Sequence, residues 1–146
     1  MARIIRRFPV APSRVFVDSG AWIAGQLRRD QYHSRAIAAW TKLRVERARL
    51  VTTTFVLDEV ATFIRYREGR QAALTVGSSI LESSVLELID IDRPLLQRAW
   101  ELFGQVRDSE PSLTDCTSFA VIESLGIGRV FTFDEDFRAT GATLLG

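Results

Sequence analysis

Residues 112–137, SLTDCTSFAVIESLGIGRVFTFDEDF, are the stretch on which the fold turns. They read as a helix, a turn containing Gly126 and Gly128, a short β-branched and aromatic strand, and an acidic turn. Asp115 stands at the opening of the helix, and Asp134 and Asp136 follow the strand. A helix that starts with a carboxylate on its inner face, followed by a buried strand ending in carboxylates, gathers acids at one end of a parallel sheet. In open α/β sheets that end is where ligands bind.

Outward from this stretch, strand and helix patterns alternate. Residues 14–17 form a buried β-branched and aromatic run that ends in Asp18, and Ser19-Gly20 makes the turn. Helical periodicity covers about 20–29 and 33–47, a strand covers 50–53, and further helices cover about 55–67 and 70–82. Residues 85–91 read as a third strand, and Asp92 before Arg93-Pro94 is an N-cap for a helix reaching about Arg107. Residues 129–133 are the fourth strand, and 142–145 a short closing one. The alternation predicts a three-layer α/β/α sandwich around a mostly parallel sheet of 4–5 strands. Residues 14–146 are expected to form a single domain, preceded by a basic arm over 1–13 that carries Arg3, Arg6 and Arg7.

Composition narrows the chemistry. A chain of 146 residues with 47% hydrophobic content is large enough for one real core. The net charge of +1 points to no partner by bulk electrostatics, although Lys42 is the single Lys among 19 basic residues. Arg suits phosphate through its planar fork, and a GC-rich coding sequence gives the same bias. Cys116 and His33 are each the only residue of their type, which excludes an internal disulfide and argues against zinc. No apolar run is of membrane-spanning length and the start lacks a signal-peptide core, so a cytoplasmic protein is expected.

Helical angles then sort the acids, at about 100° per residue. Asp115, Phe119 and Ile122 share one face, so Asp115 turns toward the sheet near a helix N-terminus, where the dipole favours a carboxylate. In the helix from Phe55 the apolar stripe is Val56, Val60, Phe63 and Ile64; Glu59 flanks it and Asp58 points away. Each acid has a plain structural alternative. Asp18 can cap the helix after it, Thr114 or Asp115 can be an N-cap, Glu59 can be solvated, and Asp134 and Asp136 can be turn formers. Taken jointly they would converge on one pocket, where like charges repel unless protonated or bridged by a cation. Oxygen-only donors point to Mg²⁺, with Mn²⁺ as substitute.

The pieces VFVDSGAWIA, the Glu in TTTFVLDEVATFIR, SLTDCTSFAVIESLGI and RVFTFDEDF, in this order, resemble the PIN domain family, and within it the VapC-like toxins of toxin–antitoxin modules. The resemblance runs from about Arg14 to the C-terminus. It implies a Mg²⁺-dependent ribonuclease with an antitoxin protein as partner, and it maps the family's metal-site acids onto Asp18, Glu59, Asp115 and Asp134. Asp136 fits the T-x-D-x-D-F ending, and Ser19 and Thr114 sit where the family has small hydroxyl residues.

On that reading, a water attacks a phosphodiester in line and no protein residue is needed as general base. His33 is expected at the surface, and Trp22 in the core rather than stacked on a base. The helices over 55–67 and 70–82 carry more apolar residues than one sheet can cover, so an exposed patch for an antitoxin helix is expected, and a homodimer on the same or another patch. Phosphoaspartyl enzymes are excluded on residues present: Asp18-Ser19-Gly20 lacks the D-x-D of the dehalogenase type, and no late Lys serves a receiver domain. The remaining alternatives are a non-catalytic module that binds RNA or protein, and a DNA-directed nuclease.

Overall fold

The computed structural model describes residues 13–105 and 107–146. The basic arm with Arg3, Arg6 and Arg7 lies outside the described residues, apart from Ser13. The strands are β1 (Arg14–Val17), β2 (Arg49–Thr53), β3 (Leu86–Ile89), β4 (Arg129–Phe131) and β5 (Thr143–Leu145). The helices are α1 (Ser19–Gln26), α2 (His33–Val45), α3 (Thr54–Glu68), α4 (Arg70–Leu81), α5 (Arg93–Phe103) and α6 (Leu113–Leu125), with a 3-10 helix over Glu135–Thr140.

All five strands are parallel, in the order β3-β2-β1-β4-β5. β1 is central, and its three inner residues are fully buried because side chains alternate between two covered faces. Phe16 joins Val51 and Val130 in a core covered by α3, α4, α5 and α6. Val15 and Val17 join Leu50 and Phe131 in a second core covered by α1 and α2. The helices over these two cores are the outer layers of the expected sandwich.

Element ends differ from the sequence reading. The first helix stops at Gln26, and the helix after Asp92 stops at Phe103 rather than near Arg107. β4 ends at Phe131, two residues early, because Thr132 to Asp134 bend into the cap of the 3-10 helix, which the sequence showed only as an acidic turn. Gly126 ends α6 in the left-handed conformation, φ 61°, which a side chain rarely adopts. His33 is not a free surface residue: it is half-buried, and its Nδ1 lies 2.7 Å from the Ala24 carbonyl it donates to, tying α2 to α1. Trp22 belongs to the core, packed on Trp40 at 4.7 Å between ring centroids. Among the described residues no helix is long and apolar enough to cross a membrane.

The paired helices α3 and α4 explain the excess of apolar residues. They pack on each other and bury Val56, Val60, Ile64, Val76 and Ile80. Leu74 and Leu81 stay 55% and 63% exposed, beside a groove whose walls include Leu57, Ala61 and Ala73.

Gly25 in α1 faces Trp40, and an added Cβ would lie 2.6 Å from its Nε1. Trp40 has little room to yield, being wedged between Trp22 and Phe131. Replacing an interior helical Gly with Ala ordinarily stabilises by about 1 kcal/mol. Here Gly25→Ala is expected to destabilise by about 1–3 kcal/mol through overpacking, read as a lower urea midpoint.

Candidate functional site

The chain enters the sheet at its middle, builds β2 and β3 to one side, and returns with β4 and β5 on the other. The crevice at the carboxyl ends of β1 and β4 is therefore the topological switch point, where ligands bind in such sheets. Asp18 is the residue after β1, and Asp134 lies three past β4. α3, leaving β2, carries Glu59, and the first turn of α6 carries Asp115. These four carboxylates, with a fifth from Asp30 and with Ser19 and Ser112, line one cavity of about 420 Å³.

Asp18 is the most constrained of them, at 4% exposure. Its N–H donates to the Phe131 carbonyl at 3.0 Å, continuing the β1–β4 pairing. Its Oδ1 accepts from the Ser19 N–H at 2.7 Å, which caps α1, and its Oδ2 accepts from Thr132 Oγ1 at 2.9 Å. Thr132 Oγ1 accepts in turn from the Asp134 N–H at 3.0 Å, so one hydroxyl joins the two strand-end acids. Burial pushes the Asp18 carboxyl up to about 7 against the opposing pull of the Thr132 and Ser19 hydrogen bonds, and the charges of Asp115 and Glu59 add to the rise. Asp134 is also raised, first by burial and then by Asp136, Asp115 and Glu135, although the Asp136 N–H donates to its Oδ1 at 2.8 Å.

Asp115 is held differently. α6 starts at Leu113, so its N-cap is Ser112 and not Thr114 or Asp115, the two that the sequence reading considered. The Asp115 N–H donates to Ser112 Oγ at 3.1 Å, and Asp115 Oδ2 accepts from the Ser112 N–H at 2.8 Å and Oγ at 2.7 Å. This is a capping box, legible beforehand as S-x-x-D before an apolar run. Glu59 is half-buried, and its side chain makes no hydrogen bond or ion pair to another described residue. It also borders a neighbouring cavity with Thr114, Phe63, Tyr66 and Arg67. Asp58 is exposed and borders only that neighbouring cavity. Asp136 sits in the 3-10 helix and does not line the acidic cavity, nor does Thr114.

The donor chemistry fits a hard divalent cation: oxygens alone, one of them on a buried carboxyl whose ionisation its acidic neighbours oppose. As the side chains stand, no three acidic, imidazole or thiol groups among the described residues close on one point. Asp18 and Asp134 are helix N-caps and Asp115 closes a capping box, while the Glu59 carboxylate has no partner among the described residues. Sequence reasoning missed Thr132, whose role depends on a partner far away in the chain, a fifth acid, Asp30, and two aromatic residues of the cavity wall, Tyr32 and Phe133.

The pH dependence follows from Asp18. Its carboxyl keeps a proton in the folded state at pH values where the unfolded chain has lost it, so folding binds a proton between about pH 4 and 7. Stability is therefore greatest below that window and falls as pH rises through it. In excess chelator the protein should melt at a higher temperature near about pH 5 than near about pH 8. Asp18→Asn should remove most of that difference, and equal differences in both proteins would place the titration elsewhere.

The model of the PIN domain family matches residues 15–142. Among curated proteins, the 23S rRNA-specific endonuclease VapC20 of Mycobacterium tuberculosis (strain ATCC 25618 / H37Rv) is 32% identical over 127 residues, 87% of this chain and 94% of that protein. A VapC ribonuclease of Archaeoglobus fulgidus is 27% identical over 123 residues, 83% of this chain and 77% of that protein. The crystal structure of Mycobacterium tuberculosis VapC20, described as a Sarcin-Ricin loop cleaving toxin, superposes with a TM-score of 0.78 at 31% identity, covering 88% of this chain and 96% of that one. A match that reaches from the first strand to the edge of the last spans all five cavity acids, and this chain belongs to the PIN domain family.

Proposed function

We propose that this protein is a Mg²⁺-dependent endoribonuclease, the toxin of a toxin–antitoxin pair, whose nuclease domain spans residues 14–146. The observation that carries the reading is the meeting of Asp18, Glu59, Asp115 and Asp134 in one cavity at the switch crevice. The 32% identity to a 23S rRNA-specific endonuclease supports RNA as substrate. The intact acid set disfavours a non-catalytic binding module, which has no use for carboxylates that repel one another.

Asp18, Glu59, Asp115 and Asp134 would hold the cation, with Asp136 behind Asp134 and with Ser19 and Thr114 supporting. A divalent cation, when bound, supplies Lewis acidity that lowers the pKa of a water and neutralises charge building on the phosphate. The protein's part is to present oxygens in fixed directions. Thr132 and Ser19 lock the Asp18 carboxylate, and the capping box leaves Asp115 Oδ1 unused by the helix. Glu59, free of partners among the described residues, can turn into the cavity. The Asp18 carboxyl must give up its proton for this, which ties activity to pH as well as to the ion.

RNA cleavage is the direct test. The sarcin–ricin loop of 23S rRNA is the first substrate to try, by likeness to VapC20. Cleavage should require Mg²⁺ or Mn²⁺ and stop in excess chelator. Asp18→Asn and Asp115→Asn should each lower the rate by at least about 100-fold, the scale of losing one group that stabilises developing charge. Asp58→Asn, outside the acidic cavity, should cut RNA at the wild-type rate. Full activity of Asp115→Asn, or activity in chelator, would sink this mechanism.

The antitoxin partner belongs to the same reading. The α3–α4 groove, with Leu74 and Leu81 exposed beside it, suits the apolar face of a partner helix, and a homodimer can use this or another face. Leu74→Glu together with Leu81→Glu should relieve inhibition by the protein encoded beside this one and leave cleavage intact. Unchanged inhibition would assign the groove no part in the complex.

A further inference from the structure

Five aromatic rings run from the second core to the acidic cavity. Trp22 packs on Trp40 at 4.7 Å, Trp40 meets Phe131 edge-on at 4.9 Å, and Phe131 meets Phe133 edge-on at 5.9 Å. Phe133 then stacks on Tyr32 at 4.6 Å with only 2° between the planes. The first three contacts have an evident packing role. The last does more than pack: Tyr32 and Phe133 lie against the second core, yet they are only half-buried and also line the cavity that holds the carboxylates.

Both rings pack on the second core, and hydrogen bonds hold the chain around them. Phe133 lies between Thr132, bonded to Asp18, and Asp134, so backbone links it directly to the acids. Tyr32 precedes α2; its N–H donates to Asp30 Oδ1 at 2.8 Å, and its carbonyl accepts from the Ala36 N–H at 2.8 Å. The exposed Arg35 places its guanidinium 5.4 Å from each ring centroid and donates to the Gly146 carbonyl at 2.6 Å. That leaves a pair of parallel rings with a cation at its rim, next to Asp134 and two residues from Asp30 in the chain.

We propose that Tyr32, backed by Phe133, is a stacking subsite that holds one unpaired nucleobase of the RNA next to the phosphate to be cut. This rests on the nuclease reading and adds to it how a polyanion is held at an acidic cavity. Five carboxylates line the cavity, and a divalent cation would offset only part of their charge, so charge alone is a weak hold on phosphate there. A stacked base is held by contact and polarisability, which the carboxylates leave untouched. Trp22, read from the sequence as a core residue, is spent on Trp40, and the chain of rings brings Tyr32 to the cavity instead. A base on Tyr32 would extend a stack that already contains two parallel rings, with Arg35 at its edge for the backbone.

The test uses an RNA hairpin built on the site that the wild-type protein cuts in total RNA with Mg²⁺, together with copies made abasic at each loop position in turn. For wild type, one abasic position should raise KM about tenfold with little change in kcat, the scale of one base–aromatic stack. Tyr32→Ala should show the same rise on the intact hairpin and no further rise on that abasic one, whereas Tyr32→Phe should behave as wild type. The loss should be equal at about 50 and about 200 mM salt, unlike the loss of a phosphate contact. Wild-type KM in Tyr32→Ala, or a Tyr32→Ala defect that adds fully to the abasic defect, would overturn the subsite. So would an abasic series on the wild-type protein in which no position matters, a measurement that needs no variant to fold. Total RNA left uncut and unbound by wild type would sink the nuclease reading itself, whereas cut RNA without base dependence sinks the stack alone.

Discussion

The structure depends on a carboxylate kept out of water at the end of its central strand. Asp18 follows β1, which is flanked by β2 and β4 and covered on both faces. Removing a carboxylate from water costs several kcal/mol unless partners replace the lost hydration. Thr132, Ser19 and the α1 N-terminus supply part of that replacement, and Asp115 and Glu59 oppose it. What remains is a site with a standing demand for either a proton or a cation, and that demand is what makes the crevice a functional centre rather than a gap between strands.

Capping and cavity lining turn out not to be competing roles. Asp18 caps α1, Asp134 caps the 3-10 helix, and Asp115 closes the α6 capping box, yet all three line the acidic cavity. Helix N-termini present unpaired N–H groups and the positive end of the dipole, which favour carboxylates placed there. One oxygen of Asp115 answers its helix while the other is left for the cavity, so a cap fixes a ligand's direction at no further cost. The free acid, Glu59, is the exception: it reaches the cavity from the flank of α3 with nothing to fix it.

The alternation of strands and helices and the identity of four of the five cavity acids were legible along the chain, Asp30 being the one that was not. Apolar runs such as residues 15–17 and 130–131 specify buried strands, and the angle between Asp115, Phe119 and Ile122 specifies which way that Asp turns. These are local regularities of backbone geometry, carried by residues within a few turns of one another. Element ends were less legible, because they are decided by hydrogen bonds such as those that bend Thr132 to Asp134 out of β4.

What the sequence determined by itself, then, is the parallel α/β architecture and the set of acids at its strand ends and helix starts, since period and cap chemistry are written in neighbouring residues. Only the tertiary structure decided which groups those acids meet. Thr132 reaches Asp18, and Phe133 stacks on Tyr32, because β4 returns beside β1 after the rest of the sheet's other half is built. The same return buries Asp18 and raises its carboxyl, and no pattern local to VFVDSG carries that. Proximity across a sheet comes from packing many elements together, and packing is a property of the whole chain.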